Sequence, residues 1–509
     1  MGEYGPMSSR TSPLSQWRFA VAGVLTAVVG LAVSAGVAWS LRMRTTPVVA
    51  VAESVRDLVP GDLATWLVHL VGSWDKPLLM AGTVLGLLGA CVVAGLLTRR
   101  HPLWADLLIV GLGALALVAV VARGGIASGL SAVAGLVAML VSLRAMVAPL
   151  SADLPTDTAR RAFFTRMRWV AVGAATVAAA GRFAGRGRRQ VEESRRLLRV
   201  PGSRGVVPQG AQVSVDGVAA WRTPNAAFYR IDTALAPPVV APQDWQLRVH
   251  GMVDHEVRFT YDELLRMTPS EQWVTLACVS NEVGGDLIGN AWWTGVPVRT
   301  VLERAGVDPN ADAVLQTSVD GWTCVTPLQA LTDERDSLLA YAMNGQPLEV
   351  EHGFPVRVVV PGLYGYVSAT KWVTSLEVTR FDRAQGYWTP RGWSAQGPVK
   401  TQSRIDVPAD GARVPAGRVS LGGVAWAQHV GIERVEVAVD SGEWTPAKLG
   451  RVPSADTWVQ WATVIDVEAG SREISVRATD RNGVTQTAKV RDVLPDGATG
   501  HHSITITAE

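Results

Sequence analysis

Four long, predominantly apolar runs occupy the first third of the chain and restrict what it can fold into. Phe19–Leu41, Pro77–Leu97, Leu103–Ala122 and Ile126–Val147 each reach the roughly 20 residues that span a hydrocarbon core of about 30 Å. Backbone in lipid must satisfy its own hydrogen bonds, so such runs predict spanning helices. A soluble bundle with buried helices is the alternative, but soluble helices are typically shorter. Gly and Ala recur in the runs, as expected where helices pack closely in lipid. Arg144 interrupts the fourth run, which ends in effect near Leu143.

Basic residues set the orientation. With the N-terminus inside, the inner segments carry Arg10, Arg18, Arg99, Arg100, Arg144, Arg160, Arg161, Arg166 and Arg168. The outer ones carry Arg42, Arg44, Arg56, Lys76 and Arg123, which favours that arrangement. The runs contain no histidine, and His69 and His101 fall in loops, so a bis-histidine haem is not expected. No buried acidic pair is expected in the bundle, which leaves ion transport without support. An anchor, or a platform facing membrane quinone, is the remaining reading.

The net charge of +2 over 509 residues is an average over unlike regions. Residues 160–204 hold 12 Arg against Glu192 and Glu193, whereas residues 205–509 hold 25 Lys+Arg and 35 Asp+Glu. A basic hinge therefore precedes an acidic body, and nothing here suggests a nucleic-acid partner. Three cysteines, none in a CxxC pair, exclude a disulfide scaffold and a zinc ribbon. The hinge opens with Arg160-Arg161-Ala-Phe163-Phe164 and continues into the mildly apolar Trp169–Gly181. This is similar to a twin-arginine export signal. The other reading is a positive-inside flank before a fifth helix. Arg182, Arg186, Arg188 and Arg189 at its far end disfavour ordinary insertion. No A-x-A cleavage site follows, so retention is expected. The twin-arginine route exports folded proteins, which suits a body that takes up a cofactor in the cytoplasm.

Beyond residue 205 two patterns succeed one another. Trp245–Val249 and Val356–Val360 read as strands, and Tyr261–Met267 and Val298–Ala305 have helical spacing. From about residue 402, Val419–Val424, Ile432–Asp440, Val459–Val467, Glu473–Thr479 and Gln486–Val493 are short strand patterns between turn residues. Asp440-Ser-Gly and Arg481-Asn-Gly read as hairpin turns. That rhythm predicts an immunoglobulin-like β-sandwich without a disulfide.

Two stretches could carry chemistry. Cys278 ends the apolar Thr275-Leu-Ala run and precedes Ser-Asn-Glu-Val-Gly-Gly. This places a thiol at a strand end beside an open, flexible loop, where it could be a nucleophile or a soft metal ligand. Most free cysteines are inert and buried, and Cys91 and Cys324 fall under that reading. In the second stretch, His352-Gly-Phe-Pro-Val-Arg357-Val-Val-Val-Pro-Gly leads through a glycine-rich loop to Ser368 and Lys371. Converging Arg, Lys, His and loop amides suggest a phosphate site, although each alone could be a solvated charge. The spacing matches neither a Walker loop nor GxGxxG.

The ordered set Leu276-Ala-Cys278, Ala340-Tyr-Ala-Met-Asn-Gly-Gln-Pro-Leu348, His352 to Gly362, Thr370-Lys371-Trp372 and Gly423-Val-Ala-Trp426 resembles the sulfite oxidase family of molybdopterin enzymes. The resemblance spans roughly residues 210–505. It implies a mixed α/β molybdopterin domain followed by the immunoglobulin-like domain, often a dimerisation module; with the apolar runs, the expectation is a multi-domain chain that opens on an all-α transmembrane bundle. The limits expected are 1–150 for the anchor, 151–204 for the twin-arginine-like fifth span and basic linker, 205–400 for the catalytic domain and 401–509 for the sandwich. It further implies one molybdenum held by a pyranopterin dithiolene and by Cys278. His352, Arg357 and Lys371 fall at the pterin phosphate, with Ser368 in the same loop. Asn225, Tyr229 and Arg230 lie in the cofactor-contacting N-terminal segment.

The chain departs from true sulfite oxidases at Trp322, which takes the place of the family's active-site tyrosine. An indole can donate but cannot act as a phenol does. It departs again at Ala427-Gln428-His429, where a substrate-holding arginine is missing. Losing a buried guanidinium contact should weaken an oxyanion site by roughly 2 kcal/mol. The expectation is therefore an extracytoplasmic oxidoreductase that transfers an oxygen atom to or from a small substrate other than sulfite. The cell membrane anchors it, in contact with lipid, and a separate quinone or cytochrome carrier serves it; a homodimer is compatible. Alternatives are a sulfoxide or N-oxide reductase fed by quinones, or a non-catalytic membrane-anchored binding module.

Overall fold

The computed structural model describes residues 13–509 except 42, 44, 60–70, 72, 73, 152–155, 185 and 186. Arg10, Arg42, Arg44, His69 and Arg186 of the sequence argument lie outside the described residues. The chain divides into two compact units, Met1–Arg189 and Gln190–Glu509.

In the first unit, four helices among the described residues are long and apolar enough to cross a membrane: Gln16–Ser40, Asp75–Leu97, Pro102–Gly124 and Ile126–Pro149. The small residues anticipated for close packing occur where the first two meet. A Cβ at Gly23 would overlap the Cys91 carbonyl, and one at Gly95 would overlap the Phe19 carbonyl. Three charged groups within these helices, Asp106, Arg123 and Arg144, are paired across helices. Asp106 meets Arg144 of the fourth span. Arg123 binds Asp57 at 2.6 Å and Glu53 at 3.4 Å, both on the short helix Pro47–Leu58. The twin-arginine-like segment forms one helix, Thr156–Ala184, which is not among the four spans. Its arginines keep its apolarity low.

The second unit begins earlier than residue 205. The basic stretch expected as a linker carries the helix Gly187–Leu197, and from residue 191 it packs onto the body. Val191 joins a core with Val274, Trp293 and Leu338, and Leu198 packs against the same core one helical repeat later. Spacing of seven residues puts both on one face. The Ser203 amide donates to Glu271 at 2.5 Å, and Arg195 donates to the Pro347 carbonyl at 3.3 Å.

Two sheets organise the α/β region. One has the order β2-β1-β10-β5-β6, with β1 Gln246–Gly251, β2 Val257–Thr260, β5 Ala313–Ser318, β6 Thr323–Pro327 and β10 Val373–Thr379. The other has β3 Ser270–Ala277, β4 Ile288–Pro297, β7 Leu338–Met343 and β8 Gln346–Pro347 in order, with β9 Arg357–Val359 on β7. The predicted helices form at Tyr261–Arg266 and Val298–Ala305. A reciprocal cap starts the first. The Thr260 hydroxyl accepts from the Glu263 amide, and the Glu263 carboxylate accepts from the Thr260 amide.

Downstream, a four-stranded sheet has β11 Gln402–Val407, β13 Gly417–Trp426, β17 Val459–Val467 and β16 Lys448–Leu449 in order. A five-stranded sheet has β12 Arg413–Val414, β19 His502–Ala508, β18 Gly470–Asp480, β14 Ile432–Val439 and β15 Thr445–Pro446. Leu421 and Trp461 of the first share a core with Val435, Ile474 and Ile506 of the second.

One expected strand is absent: Gln486–Val493 contributes only isolated bridges at its flanks. Its side chains are used differently. Gln486 Oε1 accepts from Ser403 Oγ and the Ala478 amide, and its Nε2 donates to the Gly500 carbonyl. The strand next to β18 is instead β19, where Ile504, Ile506 and Ala508 are buried in alternation.

Polar bonds join the two regions of this unit. Thr275 Oγ1 accepts from the Trp458 amide at 2.8 Å and donates to Asn290. The Trp458 indole donates to the Trp221 carbonyl at 2.9 Å.

Candidate active site

Strand β3 is buried from Trp273 to Ala277 and delivers Cys278 at its end. The Cys278 amide donates to Leu287 at 2.9 Å, which closes the loop back onto the start of β4. Cys278 is 8% exposed, so the loop closes over it rather than leaving it open, contrary to the expectation from its glycines. Burial pushes the thiol's pKa up. The Ser280 amide and hydroxyl, the Lys371 ammonium and the Val279 amide pull the other way. A desolvated sulfur ringed by donors suits a thiolate that a metal would neutralise. Cys324, fully buried and bonded to Thr370 Oγ1 at 3.3 Å, is pushed up to about 12 by burial, which fits an inert thiol.

The second predicted cluster assembles around Gly353. Its φ of +108° lies in the left-handed region, and a Cβ there would sit 3.0 Å from Arg357 Cβ and 3.2 Å from Lys371 Cα. Glycine thus lets His352, Arg357 and Lys371 converge. The Val358 amide donates to Thr370 at 2.9 Å, tying β9 to the lysine-bearing segment.

Each of the three is buried. Arg357 stacks over Trp293 at 5.1 Å, and its only hydrogen bonds among the described residues are 3.4 Å contacts to the Val358 and His352 carbonyls. No carboxylate pairs with it among the described residues. Burial lowers its pKa to about 10. Lys371 donates to Asp232 at 3.1 Å, and burial still lowers it to about 8. His352 Nε2 meets the Asn225 carbonyl at 3.1 Å, while its Nδ1 is buried without a partner. Burial, then Arg357 and Lys371, lower His352 to about 4, so the ring is neutral at pH 7.

The N-terminal residues join this group. Asn225 donates to the Met343 carbonyl at 3.3 Å and accepts from Asn344 at 2.7 Å. Phe228 stacks on Tyr229 and meets the His352 ring edge-on at 5.8 Å. Tyr229 is influenced by both Cys278 and Arg357, and burial raises its pKa. It therefore links the thiol to the cationic cluster. Arg230 is exposed, yet its charge reaches His352 and Lys371.

Two expected residues stand apart. Ser368 is fully buried and donates to the Tyr364 carbonyl at 2.9 Å. Trp322 is half-buried in the β5–β6 turn, held by local bonds from its amide to Asp320 and from Ser318 to its carbonyl.

Sequence reasoning missed Asp232, Trp293, Asn344 and Tyr364. Tyr364 is buried close enough to Cys278 to feel its charge and is pushed up to about 12. Asn344, at φ +52°, turns the β7–β8 hairpin and anchors Asn225; the Asn-Gly pair signalled that turn.

A model of the oxidoreductase molybdopterin binding domain family matches residues 234–388. An uncharacterized oxidoreductase of Bacillus subtilis (strain 168), YuiH, is 37% identical over 153 residues, covering 30% of this chain and 74% of that protein. The chain belongs to the molybdopterin-binding oxidoreductase family. Arabidopsis thaliana sulfite oxidase is 29% identical over 336 residues, 54% of this chain and 85% of that one. Human mitochondrial sulfite oxidase is 30% identical over 301 residues, 50% of this chain and 55% of that one. A solved structure, the sulfane dehydrogenase SoxCD from Paracoccus pantotrophus, has a TM-score of 0.50 at 22% identity, covering 58% of this chain and 85% of that chain. That likeness is one of fold. The protein is thus a membrane-associated, multi-pass molybdopterin-binding oxidoreductase of the sulfite oxidase superfamily.

The described residues fit the family's cofactor. A buried guanidinium without a carboxylate and an ammonium with a single counter-ion form a site short of negative charge, and the unpartnered Nδ1 of the neutral His352 ring would join the donors on taking up a proton. A phosphate supplies that charge and accepts such donors.

Proposed function

We propose that the protein is an extracytoplasmic oxygen-atom-transfer enzyme whose molybdenum is held by Cys278 and whose pterin phosphate is held by His352, Arg357 and Lys371. The observation that carries this is the buried, carboxylate-free Arg357 beside neutral His352 on the cluster that Tyr229 links to Cys278. When bound, the group supplies a two-electron change coupled to oxygen-atom transfer. The chain's own residues bind and orient it. Lys371, tied to Asp232, places positive charge toward both phosphate and sulfur. Asn225 braces the His352 ring through its carbonyl, and Arg230 adds charge from the exposed side. Ser368 fixes the loop by donating to the Tyr364 carbonyl.

The substrate is read as a small molecule other than sulfite. Gln428, where an anion-holding arginine was sought, donates to the Thr275 carbonyl at 3.4 Å, and His429 is held by Asp456 at 3.1 Å. Trp322 offers an indole rather than a phenol as the candidate residue facing substrate. The two C-terminal sheets are read as an immunoglobulin-like domain from about residue 401, following a catalytic domain over about 205–400. The helix Thr156–Ala184 is read as a retained twin-arginine-like segment. Electrons pass to or from a separate quinone or cytochrome.

Metal and pterin analysis of the full-length protein extracted from membranes tests the reading. Stoichiometric molybdenum and pterin are expected, and their absence after native expression refutes it.

A further inference from the structure

The loop that presents Cys278 is held from outside the cofactor region. Its own bonds close it at the base: Cys278 to Leu287, Asn281 to the Cys278 carbonyl at 3.1 Å, and Leu287 to Asn281 Oδ1 at 2.8 Å. Its tip, Gly284-Gly285, lies against the C-terminal sheets. Arg404 on β11 donates through Nη1 to the Gly285 carbonyl at 2.7 Å and through Nε to Asp406 at 2.6 Å. Asp406 is fixed in turn by the Ala219 amide at 3.0 Å. The His502 ring on β19 lies on Gly284, whose φ is +80°, so that any Cβ there would overlap the imidazole. The Ile405 amide donates to His502 Nδ1 at 3.0 Å and locks the ring's orientation. Arg404 is 9% exposed. The two glycines therefore serve a close approach, not flexibility.

We propose that Arg404 and His502 are positioning residues for Cys278, through which the C-terminal sheets set the surroundings of the sulfur. Their contacts are to the loop tip and to β11, not to the thiol. By holding the tip they fix the Val279 and Ser280 amides that face the sulfur. The proposal rests on reading Cys278 as the metal ligand. Outer-shell partners of metal ligands typically affect affinity or activity by about 10–100-fold, so an effect of that order is expected here.

The test uses the full-length protein with Arg404→Ala, Arg404→Lys, His502→Ala and, as a control, Arg472→Ala on an exposed ion pair of the same sheets. Two readouts are compared. One is the alkylation rate of Cys278 in cofactor-free protein, read by mass spectrometry of its peptide. The other is the Mo(V) electron paramagnetic resonance spectrum of loaded protein. Local opening should speed alkylation about 10-fold in both alanine variants. The spectrum should shift, Arg404→Lys should recover part of both effects, and the control should match wild type. His502→Ala carries the test if Arg404→Ala does not accumulate. Wild-type labelling and spectrum in the variants, with an altered Cys278→Ser spectrum, would overturn the positioning role alone. A wild-type spectrum in Cys278→Ser would overturn the ligand reading, and the positioning role with it.

Discussion

Replacing Arg357 with Met should stabilise the empty protein while costing it the cofactor. The guanidinium is 4% exposed, and its pKa falls from 12.5 to about 10, which corresponds to about 3 kcal/mol against the buried charge. Met removes that penalty and refills much of the stem's volume. Against it stands the lost stacking on Trp293, about 2 kcal/mol in a desolvated site, of which a methionine sulfur on the same ring returns about 0.3–1.5 kcal/mol. The two 3.4 Å bonds to backbone carbonyls add little. The net is a gain of about 1–2 kcal/mol, or roughly 2–3 °C in the melting temperature of the second unit. In loaded protein the sign reverses. A charge-assisted bond to phosphate is worth about 1.5–3 kcal/mol, so cofactor affinity should fall about 10–100-fold. The assay pairs thermal unfolding of cofactor-free protein, followed by tryptophan fluorescence, with pterin content after native expression. Cofactor-free Arg357→Met protein that melts below wild type, together with wild-type pterin content in the natively expressed variant, would refute the reasoning. It would mean that protein groups already satisfy the charge.

Cys278→Ser should leave the fold intact and abolish both the molybdenum–thiolate signature and oxygen-atom transfer; retained activity would remove the ligand assignment. His352 gives a pH dependence: its folded pKa of about 4 lies below the ordinary 6.5, so between these values the unfolded chain binds the extra proton. Empty protein should therefore lose up to about 3 kcal/mol of stability as pH falls from 6.5 to 4, and His352→Gln should flatten that loss in urea titrations. Gly23→Leu drives a side chain into the Cys91 carbonyl; overpacking of this kind costs about 1–3 kcal/mol, visible as faster thermal inactivation of detergent-extracted protein.

Legibility followed the physical range of each signal. The four spans were readable because twenty apolar residues leave few alternatives. Tyr261–Arg266 and Val298–Ala305 were readable because side-chain periodicity reports one buried face. The gathering of His352, Arg357 and Lys371 was suggested by type and spacing, but the reason they can meet is the left-handed turn at Gly353, a local conformation. Failures came where a long-range partner decided the outcome. Gln486–Val493 alternates as a strand does, yet Gln486 is drawn between Ser403, Ala478 and Gly500. The edge of β18 goes to β19 instead. Gly284-Gly285 suggested an open loop because nothing near it in sequence announces His502 or Arg404, more than 100 residues away. Asp232, the counter-ion of Lys371, escaped notice for the same reason.

These misses share an origin that bears on the site. The cationic cluster is electrostatically incomplete: of its two buried cations only Lys371 has a carboxylate partner among the described residues, and the third member stays neutral. A chain evolved for stability alone would place a second acid beside Arg357 or an apolar residue in its stead, since unpaired buried charge is costly. Retaining the deficit makes anion binding and stability one equilibrium. A ligand at 1,000 times its dissociation constant adds about 4 kcal/mol, more than the roughly 3 kcal/mol held against Arg357. Loaded and empty forms should therefore differ in stability by about 4 kcal/mol, a large fraction of the roughly 5–15 kcal/mol that holds a typical domain folded.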